Sequence, residues 1–371
     1  MTKSKVISVG IVGTSWWADA MHLPALKDHP YGKVTAICGR NAENANAMAE
    51  RWQIPHVFTD YNAMIDSGQL DAIVISTPDD SHYPITMKAL NAGLHVLCEN
   101  PLGMNYAQAR EMADLAEKKG VKHMVPFTYS FMPTTRYIKE LVDSGYIGKP
   151  YHLNMRYYTG YARKGEYMWR FDLKHVSSGD LANIGSHFLY IARWLYGEIT
   201  SISAHFGYMI DMPTVDPDGQ PYERGEDVAI ATVKFASGAL GLIHVTSVCW
   251  EGTLFGQTHH IELHGSEGTI YSLNDWDTIQ RVSGARAGEG MPKELPIPDH
   301  IWGGVRRDTV HNTYRDVFRT ENLMVRQFVT AIAENQPLRP DFHEGARIQQ
   351  IVDAGIKSSR EGRWVDVDSI R

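Results

Sequence analysis

Up to about residue 126 the chain repeats one pattern, a short, nearly unbroken apolar run followed by a stretch with helical spacing. The runs fall at 6–12, 34–38, 72–77, 95–98 and 122–126, and helical patterns lie between them at 42–52, 83–92 and 106–119. Short strands alternating with amphipathic helices are the pattern of βαβ units, which build a parallel sheet. The runs show no polar alternation, as strands covered by helices on both faces require. The first part of the chain is therefore expected to be α/β.

After about residue 150 the rhythm changes. Strand-like segments at 151–158, 199–209, 228–235, 239–248, 259–263 and 269–271 lie close together, with Ala236-Ser237-Gly238 and Gly265-Ser266-Glu267-Gly268 as turn signals. One helix is predicted before most of them, at 180–195, and two more close the chain at 321–334 and 344–360. The segment 274–308 is rich in Gly and Pro without clear period and reads as a surface excursion. A chain of 371 residues has room for two domains. The expected cut gives residues 1–127 and residues 128–371, the second an α+β domain with a large, mostly antiparallel open sheet. The C-terminal helices are free to pack back toward the first domain.

Charge and cysteine content narrow the function classes. The formal net charge is −7, which gives no reason to expect nucleic acid or an anionic membrane as partner. No run of about 20 apolar residues is present, so no membrane span is expected. Cys38, Cys98 and Cys249 are far apart in sequence and suggest neither a zinc site nor a disulfide framework. The short apolar run near the N-terminus is too short for a secretory signal. These features make the cytoplasm the expected compartment.

The first run ends in Gly10-Ile-Val-Gly13-Thr-Ser15-Trp16-Trp17-Ala18. Dinucleotide sites need small residues where backbone approaches the pyrophosphate and where helix packs on strand. Gly13, Ser15 and Ala18 occupy those positions in a loosened form. The context, first strand into first helix at the head of βαβ repeats, strengthens this otherwise weak signal. The second strand ends in Gly39-Arg40-Asn41, without the acidic residue that usually meets the ribose hydroxyls of NAD. Arg40 suits a 2′-phosphate or stacking on adenine, so NAD or NADP is expected, with a lean toward NADP. Two further strand ends, Thr77-Pro78 with His82 and Glu99-Asn100-Pro101, carry polar groups where α/β sheets bind ligands.

Taken together these motifs resemble the Gfo/Idh/MocA family of oxidoreductases. The resemblance covers the glycine turn with His22 after it, Thr77-Pro78 with His82, and His95 through Pro101. It continues through Asp180-Leu-Ala-Asn183-Ile-Gly-Ser-His187 and ends with Pro340-Asp341-Phe342 and Glu361-Gly-Arg-Trp364. It implies an N-terminal Rossmann domain, a C-terminal sheet domain that commonly forms the oligomer interface, and hydride transfer between a nicotinamide and a secondary alcohol of a sugar or inositol. Two positions depart from the family. Asn100 stands where the family has the lysine that orients and acidifies the substrate hydroxyl, and Asn183 stands where it often has aspartate. His187 is retained.

The expected catalytic set is accordingly His187, Asn183 and Asn100, with histidine suited to moving a proton near neutral pH. Cofactor contacts are expected from Gly13, Ser15, Trp16, Trp17, Gly39, Arg40, Thr77, Pro78, His82, Glu99, Asn100, Trp169 and Arg170. Substrate contacts are expected from Asn100, Tyr129, Trp169, Lys174, Asn183 and His187, with Lys174 a candidate for the charge absent at position 100. Adjacent His259 and His260 face opposite sides of a strand and are not expected to share a metal, so no metal site is assigned. A homo-oligomer, dimer or tetramer, is expected from an apolar sheet face that includes Leu240, Leu242 and Ile243. The competing reading is a sensor that binds dinucleotide and sugar without turnover, which the two amides at 100 and 183 favour.

Overall fold

A computed structural model describes residues 6–250 and 256–371, which divide into two compact units. One unit runs to Pro126 and includes Arg315–Ala346; the other comprises Phe127–Tyr314 and Arg347–Arg371. The stretch Arg315–Ala346 thus groups with the first unit, where a single cut near residue 127 would have left it in the second.

The first unit holds six strands: β1 (Ile7–Val12), β2 (Gly32–Cys38), β3 (His56–Phe58), β4 (Ala72–Ile75), β5 (His95–Cys98) and β6 (His123–Met124). They form a parallel sheet in the order β3-β2-β1-β4-β5-β6. All four residues of β4 are fully buried, which explains its unbroken apolar sequence. The helix Ala42–Trp52 starts where Asn41 accepts a hydrogen bond from the Asn44 N–H at 3.0 Å. The helix Tyr106–Lys119 is capped in the same way by Asn105 and ends at left-handed Gly120 after two lysines. The helix Val325–Ala333 packs on β1 and β5. Arg319 and Arg326 tie this C-terminal stretch to the first helix by donating to the carbonyls of Ala20 and Ala25. That helix begins four residues later than its periodicity predicts, because Met324 takes a left-handed conformation, φ 50°.

The second unit holds a nine-stranded sheet. Its strands are β7 (Pro150–Thr159), β8 (Ile199–Gly207), β9 (Val228–Phe235), β10 (Leu240–Thr246), β11 (Gln257–Gly265), β12 (Gly268–Asn274), β13 (Gln280–Arg286), β14 (Lys293–Glu294) and β15 (Val365–Asp366). The order is β14-β13-β12-β11-β7-β10-β9-β8-β15, and every pairing is antiparallel except β7 with β10. The segment 274–308 is therefore not a plain excursion, since it carries β13, β14 and a short helix, Asp299–Trp302. In β13, Val282 and Gly284 share one buried face and Ala285 lies on the other, and residues as small as Gly284 and Ala285 give little apolar signal.

Strand alternation decides which sheet face is which. In β9, Ala229, Ala231, Val233 and Phe235 point inward and Ile230, Thr232 and Lys234 outward. The inward face is covered by Ser186–Tyr196 and by the later turns of the helix Phe342–Glu361, where the Ser358 hydroxyl accepts from the Ala204 N–H at 3.0 Å. The outward face is not the apolar strip expected. Leu240 is 53% exposed there, but Ile243 is fully buried on the other face. The outward face is rich in histidine. His152 stacks on His264 at 4.5 Å, the Tyr158 hydroxyl lies 2.8 Å from His244 Nδ1, and Arg156 reaches His260.

Candidate active site

In the first unit, the tips of β1, β2 and β4 converge where the strand order reverses around β1, the usual place for a ligand crevice. Gly13 makes the approach possible. Its φ is +115°, and a Cβ there would lie 2.1 Å from the Ser76 carbonyl oxygen. The Gly13 N–H donates to the Cys38 carbonyl at 2.9 Å, and the Ser76 N–H to the Val12 carbonyl at 2.8 Å. At Gly39 a Cβ would meet the Thr14 methyl at 2.5 Å. Ser15 Oγ sits 2.9 Å from Ser76 Oγ and accepts from the Ala18 N–H at 3.2 Å.

The result is a cavity of about 530 Å³ lined by Gly13, Ser15, Gly39, Arg40, Thr77 and Pro78. Its size is that of a small-molecule or cofactor cleft, and the turn presents backbone rather than a side chain at Gly13, so the residues present fit a dinucleotide. Asn44, Asp60 and Tyr61 also line it. Sequence reading missed Asp60 and Tyr61 because β3, which delivers them, is only three residues long.

The other residues assigned to the cofactor fall into different roles. The Trp17 indole N–H donates to Glu99 at 2.8 Å, and His22 Nε2 lies 2.7 Å from the same carboxyl oxygen. Trp17, His22 and Glu99 thus form one linked group at the end of β5. Trp16 is 69% exposed. His82 is not on the cavity wall but buried, with Nδ1 2.7 Å from the Pro101 carbonyl and Nε2 2.9 Å from the Thr77 carbonyl. Burial holds its pKa below the ordinary histidine value. His82 is a brace that fixes the segments carrying Thr77 and Asn100.

In the second unit, the segment leading to His187 is built on Glu226. This buried carboxyl collects the Ser178 hydroxyl at 2.5 Å and the N–H groups of Gly179 and Leu181, each at 2.9 Å. The Asp180 N–H donates to the Glu226 carbonyl at 3.0 Å. The first turn is then π-helical, Leu181–Gly185, before the regular helix Ser186–Tyr196. Single π turns of this kind often occur at functional sites.

His187 emerges half-buried with its ring edge-on to Phe127 and Tyr129, at 6.1 and 4.9 Å between ring centres. Burial pushes the Tyr129 phenol up to about 12, and its hydroxyl lies 2.8 Å from that of Tyr157. Behind Tyr129, Trp276 donates from its indole N–H to His259 Nε2 at 3.1 Å. His259 is buried and His260 lies on the opposite face.

Trp169 and Arg170 sit on a short 3₁₀ turn, with the Arg170 guanidinium 4.5 Å from the Trp169 ring centre. Lys174 is exposed, and its backbone N–H donates to Asp172. The Tyr167 hydroxyl donates to Asp172 at 3.0 Å, and burial together with that carboxylate pushes the phenol up to about 12. Asn183 is half-buried, and its amide N–H donates to the Tyr161 hydroxyl at 3.0 Å. Neither Tyr161 nor Asp180, its further partner, was singled out from the sequence.

The residues that match family models cover most of the chain. The NAD-binding Rossmann-fold domain of the Gfo/Idh/MocA oxidoreductase family matches residues 7–127, and that family's C-terminal alpha/beta domain matches residues 139–367. The chain therefore belongs to the Gfo/Idh/MocA oxidoreductases and is an NAD(P)-dependent enzyme.

Among relatives, it is 27% identical over 397 aligned residues to levoglucosan dehydrogenase of Pseudarthrobacter phenanthrenivorans, covering 98% of this chain and 99% of that protein. It is 28% identical over 378 residues to D-glucoside 3-dehydrogenase of Escherichia coli, with 98% of each covered. A solved structure of levoglucosan dehydrogenase in complex with NADH and levoglucosan has the same fold. It matches with a TM-score of 0.86 at 24% identity, over 98% of this chain and 100% of that one.

Proposed function

We propose that this protein moves hydride between a nicotinamide cofactor and a secondary hydroxyl or ketone of a sugar, glycoside or inositol, with His187 as the proton-transfer residue. The observation that carries the reading is His187 itself, held edge-on by Phe127 and Tyr129 just beyond the Asn183 turn. Relatives named as dehydrogenases of levoglucosan and D-glucosides support the substrate class. In the oxidative direction the carbon–hydrogen bond breaks with its electron pair going to the nicotinamide, and the hydroxyl proton goes to the imidazole. NAD(P), when bound, supplies the hydride acceptor. The glycine turn and the Arg40–Asn44 side of the cavity would hold it.

Asn183 and Asn100 orient substrate oxygens in this reading, Trp169 offers an apolar face to a sugar ring, and Arg170 serves a cofactor or substrate oxygen. The decisive experiment mixes the protein with NAD or NADP and a panel of sugars, glycosides and inositols, followed at the nicotinamide absorbance. Turnover of at least one cyclic polyol is expected. Tight dinucleotide binding with no turnover across the panel would replace the enzyme with the sensor.

The same proposal includes a homo-oligomer assembled through the outward face of the second sheet, tested by light scattering at micromolar concentration. It also places the protein in the cytoplasm, which the buried thiols Cys38 and Cys98 support. Among the described residues, no helix is long and apolar enough to cross a membrane.

A further inference from the structure

The proposed site rests on an amide, Asn183, and an amide can present either of two faces. Its oxygen accepts hydrogen bonds and its nitrogen donates them, and the two differ by a half-turn of the side chain. What lies behind Asn183 decides the matter.

The Asn183 Nδ2 lies 3.0 Å from the Tyr161 hydroxyl, and that hydroxyl lies 3.1 Å from Asp180 Oδ1. Asp180 is fully buried. The Tyr161 ring is held in place by Phe171, 6.1 Å away at 29°. A phenol has one proton. Given to Asp180 Oδ1, which accepts it with or without a proton on Oδ2, that proton leaves only lone pairs on the Tyr161 oxygen, so only the NH₂ of Asn183 can face it. The carboxamide oxygen must then turn the other way.

We infer that Tyr161 and Asp180 are positioning residues which lock the Asn183 carboxamide with its oxygen outward, making position 183 a fixed acceptor for a substrate hydroxyl. This rests on the dehydrogenase reading for its substrate, but not for the orientation of the amide. The device requires a polyol that offers a hydroxyl proton at this point. A substrate carrying an ether or carbonyl oxygen there would meet oxygen with oxygen and be rejected.

Two measurements test it. The first is nuclear magnetic resonance of side-chain amides, with the Asn183 signal assigned by its loss in Asn183→Ala. Slow exchange of the Asn183 amide protons is expected in the wild type, with fast exchange in Tyr161→Phe. Fast exchange in the wild type overturns the inference whether or not the protein turns over any polyol.

The second is kinetic. Tyr161→Phe should raise KM for the polyol by roughly 2–10-fold, the loss of one ordinary hydrogen bond. It should lower kcat less and leave dinucleotide affinity unchanged. Asp180→Asn, close in shape, covers the case where the phenylalanine variant folds poorly and should shift KM in the same direction. Unchanged KM in both well-folded variants overturns the inference. Absence of all turnover sinks the dehydrogenase reading instead, and the exchange experiment then decides the positioning role alone.

Discussion

Replacing Gly13 with alanine tests the cofactor cavity at its most constrained point. The added Cβ would fall 2.1 Å from the Ser76 carbonyl oxygen and 2.8 Å from its carbon. Packed atoms of this kind separate at about 3.5 Å or somewhat less, so the tips of β1 and β4 must part by roughly 1 Å. The backbone at φ +115° is also strained for alanine, at about 1–3 kcal/mol. Parting the strands weakens the bonds from Gly13 to Cys38 and from Ser76 to Val12, each worth about 1 kcal/mol. The expected loss is about 3–5 kcal/mol, a fall of roughly 10 °C in Tm for a unit of this size. Dinucleotide affinity should drop at least about tenfold, since one decade corresponds to only about 1.4 kcal/mol. Thermal unfolding and NADH fluorescence titration read the two effects. A variant with Tm within about 1 °C and affinity within about twofold of wild type would show that the turn relaxes freely, and the steric account would be wrong.

His187→Ala should lower turnover by about 10²–10⁴ while leaving dinucleotide affinity within a few-fold, read by steady-state kinetics beside a binding titration. Asn100→Ala should be milder, and Asn100→Lys should retain or raise turnover by restoring the family's charge. Arg40→Ala should weaken NADP more than NAD, by up to about fivefold for an exposed charge pair; equal effects on both would remove Arg40 from the 2′-phosphate. His29 accepts from the Tyr31 N–H at Nδ1 and reaches the Arg326 carbonyl through Nε2, and burial, with the nearby Arg326 charge, lowers its pKa to about 4. A histidine pKa depressed by folding gives stability that is full above about 6.5 and lost as pH falls toward 4. His29→Gln should therefore flatten the stability profile in that window by at most about 3 kcal/mol, measured by urea unfolding. Asn183→Asp should lose more stability at pH 8 than at pH 5, and Asp180→Asn in the same chain should recover part of the loss.

The parallel sheet was readable because burial on both faces leaves β4 wholly apolar and β1 and β5 apolar but for Ser8 and His95. The glycine turn was readable because a backbone-to-backbone approach admits no side chain at Gly13. Other features left weaker traces. β3 is too short for a period, and beside Val282 the buried residues of β13 are only Gly284 and Ala285. The difference between an apolar outer face and a histidine-lined one is a single-residue phase in β10, which placed Ile243 wrongly with Leu240 and Leu242. His82 shows the limit for site residues. Its place after Thr77-Pro78 suggested a ligand contact, but the carbonyl of Pro101 that claims its ring is 19 residues away, and nothing local announces that pairing.

The same limit bears on the two amides. Asn183 alone suggests a weakened site, because the family often carries aspartate there. In the folded unit the carboxyl is present one helical turn earlier, at Asp180, linked to Asn183 through Tyr161. Burial, and then the Glu226 carboxyl nearby, raise the pKa of Asp180 well above the ordinary carboxylate range. A second aspartate at 183 would stand within about 6 Å of it. Ionising both carboxyls at that distance would cost about 3 kcal/mol of like-charge repulsion at an effective dielectric of about 20. With Glu226 needed to gather the N–H groups of Gly179 and Leu181, the unit already concentrates acid behind this helix. An amide at 183 keeps an acceptor oxygen at that position without adding charge. The asparagine is then the residue this buried neighbourhood can accommodate, so the departure from the family pattern does not by itself argue for lost catalysis.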